Sequence, residues 1–598
     1  MYVPKTMFHA IEHWAAQRPG EVALRERRQA GWRELSWSAY RDEVRAVAKG
    51  LLALGVQPGE CVALVGDNRI DWVVCQMGIV AAGGIPAPIY TTLVDDQVAW
   101  IVEHAEARIV ICDNAEQLGK IHRGLAAGRM PTVTQIVTMD QTGDNDRRIT
   151  TLKEVANNGR QADEAELDAR VAAAVDEDVA LLIYTSGTTG TPKAVCVDHG
   201  GISAIQQAVL SEYEILTRVP FRVVSYLPLC HIAEQLFTNV ASVAVGGQVT
   251  FCADLKQIRE FLVDVHPTVF LGVPRVWEKF QAVLEGRFAE ATGLRAVLAR
   301  WARSTELAAF RQEVETGKPV RSLARTLANR LVIKRVKDAL GLDQLVLAAT
   351  GAAPIGQETL EFFASLGLPI HEAYGMSETT GVATANQYGR PRFGTVGKAL
   401  PGVTVRIAED GEIVLKGRSM TRGYLRQPDK TAELIDPEGW LHTGDLGSVD
   451  AEGFVRITGR KKDILITAGG KNVAPAEMES YIKAIPGVGQ VVVVGDRQAY
   501  LTALITLEAE ALADLVKVSG VAVGSVAEAA AHPGIRAFLE QRIEEDCNGR
   551  VARYQQIKRF AVLPVEFTPE SGEMTPTMKV KRDVVHARYA AEIASLYS

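Results

Sequence analysis

The sequence predicts an α/β protein: a large multi-layer α/β N-terminal domain followed by a smaller α+β C-terminal domain. Three observations predict it. Short β-rich runs alternate with helical patterns over the front of the chain, that alternation changes texture near Gly459, and the remainder carries its own strands and helices. With 598 residues and 47% hydrophobic content the chain can bury several cores, which places the first domain over 1–459 and the second over 460–598.

The strand candidates in the front part are CVALVGD, RIVICD, ALLIYT and GQVTFC, and the helix candidates include YRDEVRAVAKGLLALG and VVCQMGIVAAGG. Two long uncharged stretches, Trp72 to Val94 and Gln235 to Ala253, are interrupted by Gly-Gly pairs, so each reads as a buried helix followed by a strand and no transmembrane segment is expected. Between Gln281 and Leu340 an almost strand-free helical insert carries 12 Lys or Arg against 6 Asp or Glu. It reads either as a solvated helical pair closing the core or as a basic amphipathic surface for peripheral membrane contact. After Gly459 come GRKKDILITAGGKNVAP, the helix PAEMESYIKAI with proline in its first turn, the strands GQVVVVGD and YLTALITLE, and a helix from Ile535 onward.

A net charge of −7 and a pI near 6.0 argue against a nucleic-acid protein, which needs a basic surface. Seven scattered cysteines (61, 75, 112, 196, 230, 252 and 547), none spaced as CxxC, suggest neither a disulfide framework nor a zinc site and fit a reducing cytoplasm. The opening MYVPKTMFHAIEHWAAQRPG lacks a cationic region followed by an apolar core, so no secretory signal is expected. Association into a homo-oligomer is compatible with the sequence.

The most informative stretch is YTSGTTGTPKAV, Tyr184 to Val195, in which nine of twelve residues are Gly, Ser, Thr, Pro or Lys. It fails the P-loop pattern, because Lys193 follows Gly190 by three positions and Ala194 to Val197 favour a strand rather than a helix. A strand, a flexible loop and a second strand can still cradle phosphate through converging N–H groups and hydroxyls; the same sequence would also serve as a mobile hairpin linker.

Other motifs decide between them. Together with TGAAP (350–354), HEAYGMSETTG (371–381), GWLHTGDLG (439–447), GRKKDIL (459–465) and MTPTMKVKRDVV (574–585), the loop resembles the AMP-forming acyl-CoA synthetases, within the adenylate-forming enzymes that include luciferases and peptide-synthetase adenylation domains. The resemblance runs from about Phe8 to the C-terminus and is closest to the long-chain fatty acyl-CoA synthetases.

That resemblance implies the following roles. Thr185, Ser186, Gly187, Thr188, Thr189, Gly190 and Lys193 would cradle the β,γ-diphosphate of ATP; Gly351, Ala352, Ala353, Ala373, Tyr374, Gly375, Met376 and Ser377 would hold the adenine nucleotide, with Tyr374 stacked on the purine. Glu378, with the Thr185 hydroxyl, would hold Mg2+, for which carboxylate and phosphate oxygens are suitable hard ligands. Asp445, read as a turn residue in Thr-Gly-Asp, would bind the ribose, Arg460 would be a second ribose or phosphate contact, and Lys462 would mark the hinge of a mobile C-terminal domain. Gly469, Gly470 and Lys471 would line the coenzyme A tunnel. Lys579 would be the catalytic lysine, with Lys581 as its rival because the glycine that often precedes that lysine is missing. LPLCHIAEQ and HPTVFLGVPRVWEKF resemble acyl-pocket walls, which singles out His231, Gly272 and Val273.

The implied reaction joins a fatty acid, ATP and coenzyme A. A carboxylate is a poor acyl donor until its oxygen acquires a leaving group, and attack on the α-phosphorus of MgATP supplies one as AMP. An acyl-AMP ligase loading a carrier protein is the nearest alternative, and a noncatalytic nucleotide- or lipid-binding protein on the same fold is another.

Overall fold

The computed structural model describes residues 4–29, 31–185, 192–568, 571–575 and 579–598. Its N-terminal region is built on a parallel sheet in the order Ile85–Ile89, Cys61–Val65, Ile109–Cys112, Gln135–Thr138, Ile149–Thr151. The runs CVALV, IPAPI and IVIC are buried at every residue, as expected of parallel strands covered on both faces. Pro86 and Pro88 are tolerated because their strand ends the hydrogen-bonded order, where a missing N–H leaves no ladder partner unsatisfied. Helices Trp37–Ala53 and Ile70–Ala81 supply much of the largest apolar cluster, including Trp37, Val47, Trp72 and Met77.

A second sheet runs Arg222–Ser225, Gln248–Phe251, Val22–Arg28, Gly31–Ser36, the last two as an antiparallel hairpin. The third sheet positions the site. Val269–Leu271, Leu347–Thr350 and Ile370–Tyr374 are parallel neighbours, followed by two short antiparallel strands, Thr384–Ala385 and Lys398–Ala399. Their carboxyl ends lead directly into Gly272-Val273, Gly351-Ala352-Ala353 and Gly375 to Glu378, so three segments remote in sequence emerge side by side where open α/β sheets bind ligands. An antiparallel sheet of Val403–Ile407, Glu412–Gly417, Leu441–Val449 and Val455–Arg460 follows. The last strand carries that sheet through the expected 459/460 boundary.

Both long uncharged stretches resolve as helix then strand, though the second includes a turn of π-helix, Leu236–Ala241, between helices Ile232–Gln235 and Ser242–Val245. The helical insert is present but starts earlier than expected: Pro274 occupies the first turn of helix Pro274–Glu290, so GVPRVWEKF is largely helix. Gly293–Thr316, Leu323–Ala328, a π-turn Asn329–Ile333 and Lys334–Ala339 complete it.

Beyond Arg460 the chain forms a hairpin, Leu465–Ile466 with Asn472–Val473, and a sheet of Val488–Val494, Leu501–Leu507 and Ile557–Leu563. Alternation along the first of these strands sends Val491 and Val493 to one apolar cluster, under helices Pro475–Lys483 and Pro533–Asp546, and Val492 and Val494 to another, under Arg582–Arg588 and Ala590–Ser595. Both clusters draw only on residues from Leu465 onward, so this region has apolar cores of its own. Among the described residues, no helix is long and apolar enough to cross a membrane.

Candidate active site

Asp445 is the best-defined member of the site. The sequence suggested a turn; instead Asp445 lies inside strand Leu441–Val449, directly opposite Arg460 of the neighbouring strand, because a positive φ at Gly444 and a register shift between Leu446 and Gly447 absorb the irregularity without ending the strand. Both carboxylate oxygens are engaged: Oδ1 pairs with Arg460 Nε at 2.8 Å and Oδ2 accepts from the Tyr374 hydroxyl at 2.7 Å. Asp445 is 5% exposed and Tyr374 8%, so their hydrogen bond is preorganised in the interior, with Arg460 closing it from the solvent side. Burial and the nearby Asp445 charge raise the Tyr374 pKa, which keeps its hydroxyl a donor.

The segment after Tyr374 turns sharply. A Cβ on Gly375 would fall 1.6 Å from Gly381 O, so only glycine permits this approach. Ser377–Thr379 form one 3-10 turn, and Thr380 closes it in the left-handed region. Glu378 is thereby held in the interior at 6% exposure, with Oε1 accepting from the Tyr424 hydroxyl at 2.8 Å. Ala373, next to Tyr374, pairs with Ala385 of the neighbouring antiparallel strand. Gly351, Ala352 and Ala353 follow the adjacent strand, Ala352 at φ +68°, and a Cβ on Gly351 would meet Ala373 O at 3.0 Å. Thr350 to Ala353 thus passes close along the backbone of Ala373.

Strands Val179–Thr185 and Lys193–Asp198 are antiparallel and bring Thr185 opposite Lys193, as a strand–loop–strand cradle requires. Ser186, Gly187, Thr188, Thr189 and Gly190 lie outside the described residues. The end of the hairpin is fixed by a third segment: Cys196 N–H donates to Gly423 O at 3.0 Å, Leu425 N–H donates to Ala194 O at 2.9 Å, and Tyr424 bridges Val195. Lys193 Nζ then stands 4.8 Å from the centre of the Tyr424 ring. Tyr424 was missed by the sequence reading, because a tyrosine in GYLRQPD looks like a packing residue; it joins the cradle lysine to Glu378 through one ring and one hydroxyl.

Lys579 enters this cleft from the C-terminal region. Met574 and Val580 form a bridge, Thr575 N–H donates to Lys579 O at 2.8 Å, and Lys579 N–H donates to Thr575 Oγ1 at 3.1 Å, so pairing with Thr575 fixes the backbone that carries the lysine. Solvent reaches Lys579, yet protein surrounds it on the scale over which charges interact. That enclosure lowers its pKa, as does Arg460, while Asp445 and Glu378 oppose the shift. Lys581 instead caps helix Arg582–Arg588 and donates its N–H to Glu573 O at 2.7 Å. Arg582 pairs with Glu479 and Asp463 within its own domain. Lys462 is exposed at the surface, and the protein around it and the charge of Arg460 lower its pKa.

His231 caps the helix before the π-turn, its Nδ1 accepting from Ala233 N–H at 3.2 Å, which leaves the ring proton on Nε2. Burial and the positive charge of Lys579 push its pKa down to about 4, so the ring is a neutral donor at physiological pH. Gly272 packs under the Trp277 indole, whose Nε1 would lie 2.5 Å from an added Cβ, and Val273 begins helix Pro274–Glu290. Glu372, on the strand ahead of Tyr374, is half-buried, with one oxygen fully enclosed and lacking a partner among the described residues; desolvation pushes its pKa up to about 8. Gly469, Gly470 and Lys471 form an exposed hairpin loop, Gly470 at φ +71°, and no described hydrogen bond joins it to the cleft.

The donor set fits a hard divalent cation: Glu378 has one carboxylate oxygen unused by the hydrogen bond to Tyr424, and the hydroxyl of Thr185 lies on the cradle.

Residues 11–425 match the AMP-binding enzyme family and residues 462–598 match its C-terminal domain. The chain is 35% identical over 573 residues to long-chain-fatty-acid–CoA ligase FadD15 of Mycobacterium bovis, covering 95% of this chain and 93% of that protein. It is 33% identical over 601 residues to human long-chain-fatty-acid–CoA ligase ACSBG2, covering 96% and 90%. The adenylation domain of a carboxylate reductase from Mycobacterium chelonae superposes with a TM-score of 0.75 at 21% identity over 99% of this chain and 91% of that one, which supports the fold. Family profiles over most of the chain and near full-length relatives above 30% identity agree: the protein belongs to the AMP-binding, adenylate-forming enzymes.

Proposed function

We propose that the protein is a long-chain fatty acid–CoA ligase, converting a fatty acid and ATP to acyl-AMP and pyrophosphate and then transferring the acyl group to coenzyme A with release of AMP. One observation carries this reading: Lys579 from the C-terminal domain stands within electrostatic reach of Asp445, Glu378, Arg460 and His231, all at one cleft. A lysine so placed serves adenylation, in which negative charge grows between the carboxylate and the α-phosphate.

In this reading Asp445, held by Tyr374 and Arg460, orients the ribose. Thr185 and Lys193 hold the leaving diphosphate, and the neutral Nε2–H of His231 donates to the substrate carboxylate. Mg2+, held by Glu378 with Thr185, would neutralise phosphate charge. Lys579 steadies the α-phosphate while the carboxylate oxygen forms its bond to phosphorus and the bond to the pyrophosphate oxygen breaks. The thiol of coenzyme A then attacks the acyl carbon, losing its proton as AMP departs. Lys579 would obstruct that approach, so the C-terminal domain must turn about Lys462 between steps and bring Gly469, Gly470 and Lys471 to the thiol's path.

Fatty-acid-dependent exchange of pyrophosphate into ATP, run over carboxylic acids of increasing length, tests this directly. Exchange that rises with long chains supports the reading; exchange absent with every fatty acid refutes it.

A further inference from the structure

Four of the five leucines exposed by more than 40% among the described residues lie in the helical insert: Leu294 (72%), Leu323 (84%), Leu327 (50%) and Leu331 (41%); the fifth is Leu255. Val297 adds 59%. The interior of the same hairpin is poor by comparison. Between the arms the buried apolar residues are Ala302, Ala328 and Ile333, backed by Trp301 and Val332, while the buried Phe310 turns away to stack on Phe393; the two arms are tied by Arg325 to Glu306 at 2.6 Å and to Glu313 at 2.5 Å. Small residues and an ion-pair cluster face inward while large leucines face water, the reverse of ordinary patterning.

The leucines keep consistent company. Leu323, Leu327 and Leu331 follow a spacing of four along one side of helix Leu323–Ala328 and the π-turn after it, and Arg330 and Lys334 fall among them. Arg295, Arg300, Arg321, Arg330, Lys334 and Arg335 are exposed, and none has an ion-pair partner among the described residues, whereas Arg311, further along helix Gly293–Thr316, pairs with Glu361. Unpaired cations around protruding leucines match a surface that is negative outside and apolar beneath. A second copy of the chain matches poorly, since a two-fold contact through this face would oppose like charges.

We propose that this face of the insert, Leu323, Leu327 and Leu331 with Arg330 and Lys334, docks on an anionic lipid surface. The placement gives docking a purpose. Helix Pro274–Glu290 starts at Val273, and Leu340 and Leu342 at the far end of the insert pack in the same apolar cluster as Phe270 and Val273, so both ends are rooted beside the residues assigned to the acyl pocket. This last step rests on the fatty acid–CoA ligase reading; the docking surface itself does not.

The test is co-sedimentation of the full chain with phosphatidylcholine vesicles, with and without phosphatidylglycerol, at low and high salt. Wild type is expected to bind the phosphatidylglycerol vesicles at least about tenfold more tightly than the neutral ones, and binding should weaken with salt. L323E/L327E and, separately, R330E/K334E are each expected to lose about tenfold or more of that binding while keeping the thermal midpoint and the rate of acyl-CoA synthesis from water-soluble octanoate. L323S/L327S supplies a second apolar variant free of added charge. Failure of wild type to bind vesicles, or equal binding by the variants, overturns the proposal. So does a wild-type dimer in sedimentation velocity that L323E/L327E converts to monomer, since the face would then be covered by a second copy. Vesicle binding without acyl-CoA synthesis from any acid would leave the docking surface standing and refute the ligase reading.

Discussion

The cleft walls of the large domain and the C-terminal loop that faces them are held by different means. Asp445, Tyr374, Glu378 and Tyr424 are all below 10% exposed and bonded to one another in pairs, Asp445 to Tyr374 and Glu378 to Tyr424. Lys579 stands open to solvent on a loop, and its domain meets the helix after Val273 through rim charges: Arg275 pairs with Glu508, and Lys279 Nζ lies 2.6 Å from Glu510. Buried hydrogen-bonded groups are costly to disturb, whereas exposed ion pairs contribute at most about 1 kcal/mol each. The fixed half of the site is built to stay; the half carrying the lysine is built to leave.

The sharpest way to break this contrast is Lys579→Ala. It is expected to slow acyl-adenylate formation on the order of a thousandfold while leaving thioester formation from supplied acyl-adenylate within a few-fold of wild type. Single-turnover measurement of the two half-reactions checks it, and equal loss in both would remove the lysine from its assigned role. Lys581→Ala should leave both half-reactions close to wild type.

Tyr424→Phe sharpens the fixed side. The ring over Lys193 remains and the bond to Glu378 is lost, so the effect is expected near tenfold on adenylation, with the concentration of Mg2+ needed for ATP binding, measured by calorimetry, rising in parallel. Unchanged Mg2+ dependence would make Tyr424 a packing residue.

Arg275→Glu tests the rim. A two- to fivefold loss in adenylation is expected, restored by Glu508→Arg in the double variant, because the pair acts through charge and not shape. Loss without restoration would locate the effect in the Arg275 side chain itself.

The smallest effect concerns stability. Glu372 has its folded pKa raised to about 8 by burial, above its unfolded value, so its protonated form favours the fold and the protein loses stability as pH rises from about 4.5 through about 8. Glu372→Gln is expected to flatten that loss, gaining on the order of 1–2 kcal/mol at pH 9 in denaturant titrations relative to pH 5. An unchanged pH profile would mean that the carboxyl is ionised in the fold.

Local patterns were legible where one periodicity ruled. The continuous apolar runs CVALV and IVIC announced buried parallel strands, and Pro475 announced the start of its helix. The site residues were legible as motifs, yet their partners were not. Nothing local says that Tyr374 bonds to a residue 71 positions away, or that Tyr424 bonds to Glu378 46 positions back, because strand packing creates those contacts. Asp445 was read as a turn because Thr-Gly-Asp suits a turn; cross-strand pairing with Arg460 overrode that local preference. The early start of the insert was hidden because Pro274 both ends a strand segment and opens a helix. The outward leucines read simply as helix formers, and only their exposure reveals their direction.

The central claim is that this cleft transfers adenylate to a long-chain carboxylic acid and then the acyl group to sulfur. Incubating the pure protein with palmitate, coenzyme A, Mg2+ and ATP labelled at the α-phosphate measures it in one reaction. The account predicts labelled AMP in equal amount to palmitoyl-CoA, both dependent on palmitate; labelled ADP in place of AMP would contradict it.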